Sequence, residues 1–223
     1  KIELCDYTNA STRSALRADR LTLGFARRMT PYKRGNLLFH NEDRLMEAAE
    51  AVGGLQIVFA GKSHPKDGDG QAILKLIFER AKRSGGLIRV ALIPDYSMWH
   101  GRLLTGGVDL WLNNPIRPLE ASGTSGMKAS LQGVPNLSIL DGWWVEGCQA
   151  GVNGFTFGGA KAERDDRGDS EGLYACLIDE VAAVWADDER RSAMQKAAIA
   201  TAAEFTSERM VGDYAERFYR GMV

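Results

Sequence analysis

Short apolar runs rich in Val, Ile and Leu recur along the chain at Leu21–Phe25, Leu55–Ala60, Leu87–Leu92, Val108–Leu112 and Asn136–Leu140. Such runs suit strands of a parallel sheet, which is covered on both faces and so has no polar side to show. Between them the apolar positions change to helical spacing. Over 36–52, Leu37, Leu38, Leu45, Met46, Ala49 and Val52 share a face, and Gly53-Gly54 supplies a stop. The stretch 71–84 repeats the arrangement with Ile73, Leu74, Ile77, Phe78 and Ala81 ahead of Gly85-Gly86. After a glycine-rich turn at Gly154–Gly159, the region from Glu171 to Met222 is nearly all helical in pattern. Its breaks, at Asp187-Asp188 and Thr206-Ser207, carry residues suited to N-caps. This alternation predicts an α/β fold: a doubly wound, mostly parallel Rossmann-like sheet with helices on both faces and a helical C-terminal flank over about 171–223. With no internal repeat, low-complexity stretch or Pro/Ser linker, residues 1–223 read as one domain.

Charge and cysteine content narrow the function classes. The 28 Lys+Arg and 29 Asp+Glu are interspersed and leave a net charge of -1, so nothing drives the whole chain toward nucleic acid or anionic lipid. Any anion must be bound locally. No apolar run approaches the roughly 20 residues that span a bilayer, and the start, Lys1 to Asp6, lacks a signal pattern. Cys5, Cys148 and Cys176 are odd in number and widely spaced, which fits a reducing, cytoplasmic setting better than a disulfide framework. The absence of an initiating Met leads us to expect a segment of a longer chain.

In doubly wound sheets ligands bind at the carboxyl ends of the strands, so the loops there carry the candidate chemistry. The first reads Ala26-Arg27-Arg28-Met29-Thr30-Pro31-Tyr32-Lys33-Arg34, a cation cluster running toward a helix start, as a phosphate site requires. A solvated basic loop is the competing account. The fourth contains Glu120-Ala121-Ser122-Gly123-Thr124-Ser125-Gly126-Met127-Lys128, where backbone donors and hydroxyls suit an anion and Thr124 or Ser125 is placed to cap a helix. Lys128 then falls in that helix's first turn, which the dipole disfavours. Burial beside Met127 and Leu131 would lower its pKa and make it an amine nucleophile, whereas a surface lysine is the ordinary alternative. Glu120 is a candidate acceptor for sugar hydroxyls, or a solvated loop carboxylate. His64 reads as a turn residue, His40 and His100 as packing or surface residues, and Trp143-Trp144 as core or interdomain packing. Three scattered histidines argue against a metal site. No P-loop, nucleophile elbow or G-x-G-x-x-G run occurs.

The nine residues ending in Lys128, with Arg27-Arg28-x-x-x-Tyr32-Lys33-Arg34 upstream and Asp141-Gly142 downstream, closely resemble the α-glucan (glycogen, starch, maltodextrin) phosphorylases. The resemblance extends from about Leu21 to about Gly158. Leu110-Trp111-Leu112-Asn113-Asn114-Pro115 and Leu140-Asp141-Gly142-Trp143-Trp144 are similar to the shorter bacterial and archaeal branch. It implies the C-terminal half of a two-domain GT-B-type glycosyltransferase fold, with the N-terminal partner domain outside this chain. Position by position, it makes Lys128 the lysine that holds pyridoxal 5'-phosphate as a Schiff base. Arg27 stands where the family usually has a lysine contacting the cofactor's phosphate, with altered geometry. Arg28 and Lys33 match the pair that binds the substrate phosphate. Glu120, Ala121, Ser122 and Gly123 match the segment that holds the glucosyl unit, and Thr124, Gly123 and Tyr96 match cofactor neighbours. Gly126 departs from the Asn of the larger animal and plant enzymes, and Met29-Thr30-Pro31 from their His-Glu-containing segment.

The implied activity is retaining phosphorolysis of the terminal α-1,4-linked glucose of a glucan by inorganic phosphate, giving glucose 1-phosphate. The isolated piece is expected to be inactive without its partner domain. Family members are often dimers, so self-association is also implied, largely through the absent half. Two alternatives share the architecture. A nucleotide-sugar-dependent glycogen or starch synthase commonly has a second glutamate eight residues after the first, where this chain has Lys128. A non-catalytic glucan-binding domain would retain the fold alone.

Overall fold

The computed structural model describes residues 1–158 and 164–220. Gly159, the end of the expected glycine-rich turn, and Met222, the end of the helical pattern, lie outside them. The chain opens with α1 (Ile2–Thr12), enters β1 (Leu21–Ala26), and passes through single 3-10 turns at Pro31–Lys33 and Leu37–Phe39. It continues through α2 (Glu42–Ala51), β2 (Leu55–Ala60), α3 (Gly68–Arg83), β3 (Ile88–Ile93), α4 (Met98–Gly107), β4 (Leu110–Asn113), α5 (Thr124–Leu131) and β5 (Asn136–Ile139). Then come α6 (Trp144–Gly147), β6 (Gly154–Phe157), α7 (Asp166–Cys176), a π-turn at Leu177–Val181, α8 (Ala182–Trp185), α9 (Asp188–Ala203) and α10 (Ser207–Tyr214).

The six strands form one parallel sheet in the order β3-β2-β1-β4-β5-β6. Strands β1, β2, β4 and β5 are buried at every position, which is why they read as continuous apolar runs. Alternate residues supply two cores. Leu21, Leu23 and Phe25 of β1 join Ile57, Phe59, Leu110 and Leu112 beneath α2 and α7. Ala26, Val58, Ala60, Ala91 and Trp111 face the other way, onto Leu4, Leu104 and Ala129 of α1, α4 and α5. The helical flank packs back on the sheet, α7 against β6 and α9 against α5. Asn41, Asp187 and Thr206 cap their helices by accepting from Arg44 N, Glu189 and Arg190 N, and Arg209 N respectively.

The expected glycine-rich turn at 154 is instead β6, because Gly154 packs its bare Cα against Asn136 O and the Trp144 ring at the sheet edge. The polar helix α1 has no apolar periodicity to announce it, whereas the helical stretch expected around His100 is α4; His40 follows a single 3-10 turn instead of lying in a helix. Among the described residues no helix is long and apolar enough to cross a membrane.

The sheet order places the topological switch between β1 and β4. From β1 the chain moves outward through β2 and β3, and from β4 it moves the other way through β5 and β6. The loops leaving β1 and β4 therefore diverge and leave a crevice between them, the position at which doubly wound folds bind ligands.

Candidate active site

Both loops singled out by their chemistry leave these two strands. After β1 the backbone stays extended, with Arg27 N donating to Ala60 O and Met29 N to Lys62 O. Extended alternation buries Arg27 and Met29 and leaves Arg28 exposed. The loop then enters the Pro31–Lys33 turn rather than an α-helix, so the expected helix dipole behind these cations is absent; a single 3-10 turn aligns too few peptides to make one.

Arg34, counted among the anion-binding candidates, has a different role. Its side chain is 2% exposed and turns inward to donate to Asn114 O and Pro115 O while pairing with Asp169 at 2.7 Å and Asp166 at 3.1 Å. Asn114 Nδ2 donates back to Arg34 O, and Ile116 N to Tyr32 O. These bonds staple the β1 loop to the β4 loop and α7. The sequence signal available was Asn113-Asn114-Pro115, two amides before a turn-forming proline.

The staple brings Arg27 and Lys33 to Glu120. Arg27 Nη2 donates to Glu120 Oε2 at 2.5 Å, and Lys33 Nζ to Oε1 and Oε2 at 2.9 and 2.6 Å. The three side chains are only 4%, 12% and 11% exposed, so water screens them little. Burial alone would raise the Glu120 pKa, but the two cations together outweigh it and hold the carboxyl below its ordinary range. Burial lowers the Arg27 pKa, with Glu120 opposing. Arg27 Nη1 is buried with no hydrogen-bond partner among the described residues. An unsatisfied buried guanidinium N–H is costly, and an anion beside it would remove that cost.

Glu120 is held from behind by Asp141, whose role the sequence did not reveal. Asp141 Oδ2 accepts from Glu120 N and Oδ1 from Gly142 N, both at 2.9 Å, and Trp143 N donates to Ser122 O. Gly142 has φ +57, and a Cβ there would lie 2.5 Å from Ser122 O. The Asp-Gly pair after β5 is thus required by the close approach of the 120–123 loop. Trp143 and Trp144 are buried, in line with core packing.

The α5 start differs from expectation. The helix begins at Thr124, with Gly123 (φ +83) as N-cap and no side-chain cap bond, so neither Thr124 nor Ser125 serves. Lys128 lies in the last turn, where the dipole favours a cation, and it is exposed rather than buried beside Met127 and Leu131. The helix is only eight residues long, which is why a residue five places in already belongs to its C-terminal turn. Gly126 is enclosed by Asn136 Oδ1, Trp143 Nε1 and Asn113 Nδ2, all within 3.2 Å of where a Cβ would lie, so an asparagine would not fit without rearrangement.

Among the described residues, Arg28, Lys128, Thr124 and Ala121 make no side-chain hydrogen bond or ion pair. Tyr96, in the loop after β3, packs against the α1/α4 core and tilts over His100; burial pushes its phenol up. His100 itself is a buried packing residue, bonded to Tyr7 Oη and to Ser97 at the α4 cap. His40 and His64 are exposed, and His64 Nδ1 accepts from Lys66 N in its turn. The structure thus assembles Arg27, Lys33 and Glu120, orders Ser122 and Gly123 beside them, and leaves Arg28, Lys128 and Tyr96 outside that contact.

The profile of the carbohydrate phosphorylase family matches residues 1–178. A glycogen phosphorylase of Aquifex aeolicus is 45% identical over 215 residues, 92% of this chain and 31% of the relative. A maltodextrin phosphorylase of Thermococcus litoralis is 39% identical, covering 89% of this chain and 25% of the relative. A glycogen phosphorylase of Mycobacterium tuberculosis is 40% identical, with 89% and 24% covered. The chain therefore spans about a quarter to a third of the length of these relatives.

Proposed function

The chain belongs to the carbohydrate phosphorylase family, and on that footing we propose that it forms the C-terminal, cofactor-bearing half of an α-glucan phosphorylase. The whole enzyme cleaves the terminal α-1,4-linked glucose of a glycogen- or maltodextrin-like glucan with inorganic phosphate, retaining configuration and giving glucose 1-phosphate. A partner domain outside this chain supplies the facing wall of the cleft, and the chain alone is inactive. The named activities of the relatives support this reading. The observation that carries it is the buried Arg27 guanidinium at the sheet's switch point, with Nη1 unpartnered and Lys33 beside it.

The unpartnered Nη1 of the buried Arg27 suits the phosphate of pyridoxal 5'-phosphate. Arg27, Thr124, Gly123 and Tyr96 would hold it, with covalent attachment through the exposed amine of Lys128. Bound there, it supplies a phosphate that acts as proton donor or electrostatic partner to the substrate phosphate. Arg28 and Lys33 bind that substrate phosphate. Two phosphates in a water-poor cleft repel, and the three cations Arg27, Arg28 and Lys33 offset their charge. Glu120, with the 121–123 backbone, accepts hydrogen bonds from the glucosyl hydroxyls and fixes the ring. In the reaction the glycosidic C1–O bond breaks, C1 bonds to a phosphate oxygen, and the departing glucan oxygen takes up a proton.

We place the protein in the cytoplasm on the odd number and wide spacing of Cys5, Cys148 and Cys176; burial pushes the Cys148 and Cys176 thiols up to about 11 and about 12, which leaves them weak nucleophiles at neutral pH. The test is to incubate the complete protein with pyridoxal phosphate, reduce with borohydride, and locate the modified lysine by peptide mass spectrometry. Selective labelling of Lys128 with phosphate-dependent release of glucose 1-phosphate is the expected result. Absent or scattered labelling without phosphorolysis would overturn the reading.

A further inference from the structure

We infer that Glu120 is an internal counter-ion that stands in for phosphate, and that the arrival of a tetrahedral dianion frees its carboxylate to grip the sugar, so that anion and sugar bind with positive coupling. This rests on the functional reading above and extends it.

In the chain alone one carboxylate satisfies two cations, Arg27 through Nη2 and Lys33 through both oxygens. That engages Lys33 Nζ with both Glu120 oxygens and fills three of the carboxylate's roughly four acceptor positions. A glucosyl hydroxyl meeting this carboxylate finds it already engaged, and a phosphate meeting Lys33 finds it already neutralised. Neither ligand alone gains the full value of its partner. Glu120 also carries the same sign as the incoming dianion, so with phosphate on Lys33 the carboxylate is repelled from the position it holds here.

Geometry gives it somewhere to go. The Glu120 backbone is anchored through its N–H to Asp141, and its neighbour Ser122 through O to Trp143 N, so the main chain stays in place. Only the side-chain torsions need change. Gly123 alongside, at φ +83, has no side chain, and even an added Cβ would sit at ordinary contact distance, 3.5 Å, from Glu120 Cγ. Arg27 need not lose a partner either, because its unpartnered Nη1 and its released Nη2 are both open to the cofactor phosphate assigned to it above. The substrate dianion therefore exchanges for the carboxylate at Lys33, and the freed carboxylate becomes an acceptor for neutral hydroxyls.

Two non-reacting probes, sulfate and glucose, test this by calorimetric titration of the complete protein loaded with cofactor at fixed ionic strength. In the wild type, saturating sulfate should tighten glucose binding by about fivefold or more, and glucose should tighten sulfate by the same factor, as linkage requires. Glu120→Gln keeps the shape and removes the charge. It should bind sulfate about fivefold or more tightly than the wild type and show no coupling. Glu120→Asp, charged but shorter, should fall between the two in sulfate affinity, which guards against a folding defect in a single variant. Equal or weaker sulfate binding in both variants, or coupling that persists in Glu120→Gln, overturns the proposal. Lys33→Met separates this from failure of the functional reading. If sulfate binding is lost there, the anion site stands and the coupling is judged by the Glu120 variants. Unchanged sulfate binding in Lys33→Met overturns both.

Discussion

Two partly buried carboxylates lie at opposite ends of β4. Asp109 precedes the strand, and Glu120 sits in the loop that leaves it. Each is paired with a lysine: Asp109 with Lys1 at 2.5 Å, Glu120 with Lys33 at 2.6 Å. Yet their acidities move in opposite directions. At Asp109, burial outweighs the attraction of Lys1 and the hydrogen bond from Thr22 N, and the pKa is raised. At Glu120 the second contacting cation, Arg27, tips the balance and the pKa is lowered. Burial is the largest influence on both acids; it prevails at Asp109 over Lys1 and the more distant Arg191, and is outweighed at Glu120, where two cations touch the carboxylate directly. The amino end uses its carboxylate to tie β1 to β4, with Lys1 and Arg191 against the Trp185 ring. The carboxyl end concentrates positive charge around one carboxylate, an arrangement suited to exchanging that carboxylate for a ligand.

Arg34→Met should abolish the contrast between the two ends, since Arg34 holds the β1 and β4 loops together. Leaving Asp169 buried without its partner should cost about 3–5 kcal/mol in denaturant unfolding, and phosphate binding should go with it. Less severe is the matched pair Glu120→Gln and Asp109→Asn at pH 7. The first should lose about 1–3 kcal/mol, because two buried cations lose a charged acceptor. The second should lose less than the first, since burial already disfavours the Asp109 charge that the amide removes.

The same pair gives opposite signs with acid. The depressed Glu120 pKa means that its stabilisation is present above its ordinary value of 4.5 and is lost as pH falls through the lower folded value. The raised Asp109 pKa means that stability is gained as pH falls from its folded value toward 3.8. Unfolding free energies measured from pH 7 to 3 should therefore decline less steeply in Glu120→Gln and more steeply in Asp109→Asn than in the wild type. The smallest effects belong to Arg28→Ala and Lys128→Ala. Both side chains are exposed and without protein partners among the described residues, so thermal unfolding should move by no more than about 0.5 kcal/mol. Phosphate affinity should nonetheless fall in the first, and lysine labelling by pyridoxal phosphate should vanish in the second.

Much of this molecule was legible from its residues. The continuous apolar runs located five of the six strands to within one or two residues, and Asp187 and Thr206 were recognisable as caps because a cap depends only on its own next three residues. The sixth strand was hidden by Gly154, a residue that local pattern assigns to turns and that only the packing of Trp144 and Asn136 explains. In the site, residue types and motif spacing selected Arg27, Lys33, Glu120 and Lys128. They also pointed to family membership.

Which of these residues meet was decided by tertiary structure. Arg27 and Glu120 are separated by 93 positions and Arg34 and Asp166 by 132, and no periodicity spans such intervals. Their contact follows from the placement of β4 beside β1, a choice made by the sheet as a whole. Within one run of four cations, the fold buried Arg34 as a staple, set Arg27 and Lys33 on Glu120, and left Arg28 in solvent. Local sequence fixes φ, ψ and periodicity, and so determines elements and their caps. Long-range electrostatics depends on distances that exist only once those elements have packed, and so the same side-chain chemistry became structure at Arg34 and a candidate site seven residues earlier, at Arg27.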